Sequence, residues 1–172
     1  MLSLSKKTDY ALIALAYLAE RPGRTASARE IAEARSLPAA LLMNILKELQ
    51  HHDVVRSLRG TKGGYQLAVD PATVSLHELI LALEGPVRLI ECASEAEGCE
   101  HETLDEADDC RVSGRCAVQA PLQALHFRLV RFLHDVKLAD IILPGRRIDV
   151  PVEMIGREGV GVSAECKVQN AE

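Results

Sequence analysis

The sequence predicts a mainly α fold that carries one β-hairpin, and three observations predict it. Ahead of residue 52, three segments repeat apolar residues at helical spacing between clear stop signals. After Asp53 the period changes, and two short apolar stretches flank a glycine-rich turn. From Leu122 to Leu143 an apolar pattern advances in steps of three and four. With 172 residues, 48% of them hydrophobic, the chain can bury a core without disulfide staples.

The first helix covers Lys6 to Glu20, dense in Ala and Leu, and Arg21-Pro22-Gly23 stops it. Ser27-Ala28-Arg29-Glu30 has capping-box spacing and opens a second helix over roughly 28–35. Pro38 suits a first helical turn, and a third helix runs from it to about His51. Leu41, Leu42, Ile45, Leu46 and Leu49 predict its buried face; Ala40, Met43, Asn44 and Lys47 lie opposite. Val54 to Leu58 reads as a strand, Arg59-Gly60-Thr61-Lys62-Gly63-Gly64 as a turn, and Tyr65 to Ala68 as the returning strand. Three helices followed by a hairpin is the order of a winged helix-turn-helix, whose third helix enters the major groove. Asn44 and Lys47 are then the candidates on that helix, and Arg56, Arg59 and Lys62 are placed for phosphates beside the wing. Double-stranded promoter DNA is the expected partner.

Ser75-Leu76-His77-Glu78 is a second capping box, opening a helix that runs to Glu84 and stops at Gly85-Pro86. From Pro121 a long helix is expected, with Leu122, Leu125, Leu129, Phe132 and Val136, then Ala139 and Leu143, on one heptad seam. The seam predicts a dimerisation helix and a homodimer, although a helix packed on its own domain has the same pattern. The expected organisation is a winged helix-turn-helix over 1–84, a cysteine-rich loop over 85–119, a dimerisation helix over 120–143 and a flexible tail over 144–172.

The formal net charge of −5 hides an asymmetry: residues 1–70 carry ten basic and seven acidic groups, residues 71–119 three and eleven. DNA binding needs a local positive surface, which the N-terminal part supplies. No stretch of about 18 uncharged apolar residues exists, so no membrane span is expected. The apolar run Tyr10 to Ala19 leads into Glu20 and Arg21, not a small-residue cleavage site, and a cytoplasmic protein is expected. No Ser/His/Asp grouping, phosphate loop or His-Glu-x-x-His motif is present, so no enzyme is expected.

Five cysteines, an odd number, argue against a disulfide framework. Cys92, Cys99, Cys110 and Cys116 fall within 25 residues, in a chain whose first 91 residues have none. Thiolates are soft ligands for iron–sulfur clusters, zinc or copper(I). Paired knuckles of a structural zinc site are absent, and the wide gaps of six, ten and five residues suit an iron–sulfur cluster better. Cys166 stands apart and is not expected to be a ligand.

The chain resembles the Rrf-type (Rrf-two) family of winged-helix regulators, most closely the SUF-system regulators of iron–sulfur cluster assembly. Leu4-Ser5-Lys6-Lys7-Thr8-Asp9-Tyr10-Ala11, Ala16-Tyr17-Leu18-Ala19, Arg59-Gly60 with Gly63-Gly64-Tyr65, Glu84-Gly85-Pro86, Glu91-Cys92 and Val136-Lys137-Leu138-Ala139-Asp140 carry the resemblance. It implies a homodimeric repressor of promoters, serving cluster assembly or a redox, nitric-oxide or iron response. It also implies one cluster per subunit, 2Fe-2S or 4Fe-4S, on three cysteines and one other ligand. Cys92 matches the first cysteine; Cys110 and Cys116 match the last two, with Cys99 as rival for the middle place. Where some members use a His three residues after the last cysteine, this chain has Gln119. Asp9 matches the N-terminal aspartate that the nitric-oxide sensor contributes from the other subunit; early-helix charge is its other role. His101 is a rival ligand within the loop. The start of the third helix, Pro38-Ala39-Ala40-Leu41-Leu42-Met43, is apolar where related regulators carry polar residues. Two alternatives stand beside this expectation: a zinc-bound or thiol-oxidised repressor without a cluster, and a cluster-carrying redox protein.

Overall fold

The structure is a computed structural model and describes residues 4–60, 63–89, 116–146 and 148. Its elements are α1 (Lys6–Ala19), α2 (Ala28–Arg35), α3 (Ala39–His51), β1 (Val55–Leu58), β2 (Gly64–Leu67), α4 (Leu76–Glu84), α5 (Gln119–Asp135) and α6 (Leu138–Ile142). The first five stand in the expected order, within a residue or two of the expected bounds.

Local chemistry explains the ends. Ser5 caps α1, its hydroxyl accepting from the amides of Lys7 and Thr8 at 3.2 and 3.4 Å. Ser27 caps α2 by accepting from Glu30 N at 3.1 Å. The reciprocal half of that box is not made: the Glu30 carboxylate accepts from the Tyr17 hydroxyl at 3.0 Å, tying α2 to α1. At α4 both halves are made, Glu78 N to Ser75 Oγ at 3.1 Å and Ser75 N to Glu78 Oε2 at 2.6 Å. Pro38 is the N-cap of α3, one position earlier than expected.

One core holds α1, α2, α3 and the base of the hairpin together. Leu15, Ile31, Leu42, Ile45, Leu46, Leu49 and Leu79 are fully buried in it, joined by Leu138 and Ile142 of α6. Leu41 is not part of that buried face; it is 38% exposed, at the edge of the apolar side of α3. β1 and β2 pair antiparallel, Val55 with Leu67 and Leu58 with Gly64. Ala26 adds an isolated bridge to Tyr65 with two hydrogen bonds of 2.9 and 2.8 Å, so the wing is anchored to the α1–α2 link.

The expected single helix over 120–143 is corrected: α5 ends at Asp135, Val136 and Lys137 are extended, and α6 starts again at Leu138. Backbone pairing imposes the break, with Leu76 N on Val136 O at 2.8 Å and Leu138 N on Val74 O at 2.9 Å. Asp140 accepts from Lys137 N at 3.1 Å and caps the new start. Helical spacing on both sides of a two-residue break imitates a continuous heptad. Val136 is only 5% exposed, packed with Leu76 and Ile80 of its own chain, so it is withdrawn from the expected dimer seam. The tail beyond 148, and Cys166 with it, lies outside the described residues.

Candidate nucleic-acid interface and cysteine site

On α3 the core takes Leu42, Ile45, Leu46 and Leu49. Residues four, seven and eleven positions after Ala40 therefore share the opposite face with it. That stripe is Ala40, Asn44, Lys47 and His51, all exposed, with Met43 beside it. Asn44 and Lys47 thus lie where the sequence placed them, on the outward face of the third helix.

The wing stands next to α3. Arg56 is exposed on β1 and pairs across the hairpin with the buried Gln66. With the Gln66 amide turned so that its oxygen faces the guanidinium, it accepts from Arg56 Nε and Nη2 and holds that side chain across the sheet. This contact was not foreseen, because it depends on the hairpin register. Arg59 is exposed at the end of β1; Lys62 lies outside the described residues. Two glycines shape the turn. A Cβ at Gly63 would stand 2.5 Å from Leu58 O, and one at Gly64 2.6 Å from the Ala26 carbonyl. Backbone approaches backbone there more closely than any side chain permits.

Lys47, Arg56 and Arg59 put exposed positive charge on this face. Several carboxylates are matched by cations: Glu48 with Lys7 at 2.8 Å, Glu33 with Arg29 at 2.8 Å, and Glu20 with Arg35 and Arg21 at 2.5 and 3.2 Å. Among the described residues Lys47, Arg56 and Arg59 form no ion pair.

The N-terminal motif proves to be a brace. Lys7 Nζ donates to Glu48 on α3 and to Leu83 O at the end of α4. Glu84 accepts from the Ser5 hydroxyl at 2.5 Å and from the Thr8 hydroxyl. Burial alone would raise the Glu84 carboxyl, but these hydrogen bonds and the nearby Lys7 charge outweigh it and hold it below the usual carboxylate value. The signal for this brace is that both ends belong to the motifs Ser5-Lys6-Lys7-Thr8 and Glu84-Gly85-Pro86; sequence spacing does not show that they meet. Asp9, one residue further, is exposed, and its carboxylate has no hydrogen bond or ion pair among the described residues.

Of the candidate metal ligands the structure describes Asp9 and Cys116. Cys92, Cys99 and Cys110 lie outside the described residues, as does the rival His101. Cys116 is half-buried and in no disulfide, three residues before α5, and its carbonyl accepts from Gln119 N at 3.3 Å. No group of three His, Cys, Asp or Glu side chains converges among the described residues. The donor set itself, soft thiols with a carboxylate, fits an iron–sulfur cluster. On α5, Leu122 and Leu129 are half-buried and Leu125 is 52% exposed; Phe132 is half-buried against the small cluster of Leu76, Ile80 and Val136.

A trihelical core, an outward third helix and a glycine-tight wing with unpaired cations define a winged helix-turn-helix DNA-binding protein. Comparison with known proteins narrows the class. The family model of Rrf2, described as an iron-dependent transcriptional regulator, matches residues 4–144, and the chain belongs to that family. It is 29% identical over 146 residues to a putative HTH-type transcriptional regulator, rrf2-like, of Rhodobacter capsulatus, covering 83% of this chain and 93% of that one. It is 34% identical over 92 residues to the HTH-type transcriptional regulator NsrR of Bacillus subtilis, covering 53% and 63%. Among solved structures it is similar to CymR, the global cysteine regulator of B. subtilis, with TM-score 0.60 and 26% identity, covering 83% and 97%. The protein is thus a DNA-binding transcriptional regulator of a family that is not enzymatic. Among the described residues no helix is long and apolar enough to cross a membrane.

Proposed function

We propose that this chain is a cytoplasmic homodimeric repressor whose hold on promoter DNA is controlled by an iron–sulfur cluster. Cys92, Cys110 and Cys116 hold the cluster, with Asp9 as fourth ligand and Cys99 as the alternative middle cysteine. The observation that carries this reading is the place of the thiols. Four cysteines fall in the segment that joins α4 to α5, and the one described, Cys116, stands three residues before α5. A bound cluster would tie that segment together by soft thiolate bonds.

The chain's own residues then have distinct tasks. α3 enters the major groove with Asn44 and Lys47, while Arg56, Arg59 and Lys62 hold the wing on phosphates. Leu122, Leu125 and Leu129 on α5 face the partner copy, and Phe132 lies at the inner edge of that face. Ser5, Lys7, Thr8, Glu48 and Glu84 brace α1, α3 and α4 into one body, so that a change in the cysteine segment reaches the DNA heads through α4 and α5. Cluster state and DNA affinity are then reciprocally linked.

The similarity to a cysteine regulator favours a second reading, in which the thiols act without a cluster, or with zinc. Anaerobic purification followed by a visible spectrum and iron and sulfide analysis separates the two. Brown protein with iron and acid-labile sulfide is the expected result. Colourless protein that reconstitution leaves without iron and sulfide, but with zinc or free thiols, rejects the cluster.

A further inference from the structure

The first turn of α3 presents chemistry that the polar contacts do not use. Ala39 and Ala40 are exposed there, followed by Leu41 at 38% and Met43 at 45% exposure. Asn44 is the first residue of the helix whose side chain carries a strong donor or acceptor. In a helix-turn-helix the N-terminal residues of the recognition helix approach the base edges. Most groups on those edges are donors or acceptors, and covering them with an apolar side chain leaves them unpaired. The thymine C5-methyl is the apolar group that the major groove offers.

We propose that Ala40 and Met43 read thymine methyl groups, so that the operator half-site carries thymines next to the base that Asn44 contacts. The spacing suits this assignment. Ala40 and Asn44 lie on one stripe, about 6 Å apart along the helix axis at ~1.5 Å per residue. That is about two base-pair steps of ~3.4 Å. Met43 flanks the stripe, and its unbranched side chain reaches sideways without a fixed shape. Lys47 and His51 continue the stripe away from the base edges, toward the backbone. Asn44 prefers adenine, which it meets with two hydrogen bonds. The expected half-site is therefore rich in A·T pairs at the position of α3.

The inference rests on α3 being the recognition helix, and the test separates the two. Full-length protein selects duplexes from a randomised pool, and Kd is measured for the selected duplex and for versions with single thymines replaced by deoxyuridine. Each contacted methyl removed is expected to weaken binding by about fourfold. Met43→Ser should abolish that loss at one position. Ala40→Gln should move the preference at another from thymine toward adenine. If Asn44→Ala leaves the selected sequence unchanged, α3 is not the reading helix and the inference falls with it. If Asn44→Ala alters the sequence while no deoxyuridine has an effect, methyl reading alone is overturned. A Met43→Ser variant that changes the association of the free protein and not its thymine preference also overturns it.

Discussion

Replacing Gly64 by Ala tests how the wing is held. The new Cβ would stand 2.6 Å from both the carbonyl carbon and oxygen of Ala26 and 2.9 Å from Ser27 N, all backbone atoms. No side chain can swing away, so β2 or the link at Ala26 must retreat. The retreat breaks the two hydrogen bonds between Ala26 and Tyr65, which are 2.9 and 2.8 Å long. At about 1 kcal/mol net for each bond, their loss costs about 2 kcal/mol. Displacing packed backbone adds about 1–3 kcal/mol. At roughly 2–4 °C per kcal/mol for a chain of this size, Tm should fall by about 6–20 °C. Thermal unfolding followed by circular dichroism measures it. Ser57→Ala on the neighbouring strand, an exposed site, should stay within about 0.5 kcal/mol and serves as control. Below its melting range the Gly64→Ala protein should also bind promoter DNA less tightly, because the wing is displaced. A Gly64→Ala protein that melts within about 2 °C of wild type would refute the reasoning.

Arg59→Ala should weaken promoter binding and lower the salt slope of log K by about one phosphate contact, measured by titration at several salt concentrations; an unchanged slope removes Arg59 from the interface. Cys116→Ala and Cys92→Ala should each lose the visible spectrum after anaerobic reconstitution, and Cys166→Ala should keep it; full spectra in the first two would refute the ligand set. Leu125→Glu should produce a folded monomer by sedimentation, whereas Val136→Ala should lower Tm and leave association intact, since Val136 is buried in its own chain. Glu78 is held below the usual carboxylate value of 4.5, first by the Ser75 amide, and Glu84 below the same value by the net effect of its hydrogen bonds. Both favour the folded state above that value, and their contribution is lost as the pH falls below it. Urea unfolding at stepped pH should show this acid limb, shallower in Glu84→Gln; equal limbs would argue that Glu84 does not brace α1.

The candidate site was legible where side-chain chemistry is periodic. Ala40, Asn44 and Lys47 lie on the side of α3 opposite Leu42, Ile45 and Leu49 because a helix places them so whatever surrounds it. Arg59 beside glycines marks a tight basic turn for the same local reason. Leu41 was misplaced because it lies at the rim of the apolar face, and only the packing of α3 on its neighbours decides which side of the rim is covered. Arg56 was legible as a cation, but its hold by Gln66 depends on strand register. The four clustered cysteines were legible as soft ligands by type and spacing; the geometry of the set lies outside the described residues, apart from Cys116.

By itself the sequence determined the run of helices and the hairpin, the caps at Ser27 and Ser75, the glycine turn and the outward face of α3. Each of these follows from interactions within a few residues of chain, which no distant contact has to supply. Tertiary structure decided the rest. It ended α5 at Asp135, against an apolar pattern that continues, by pairing Val136 and Lys137 with the segment before α4. It turned Glu30 from its capping box to Tyr17, and it made one brace of Ser5, Lys7, Thr8, Glu48 and Glu84. Those partners lie up to 79 residues apart, and a periodic pattern carries no information over that distance. Local chemistry made the elements; the burial of a shared core chose which of their polar groups would meet.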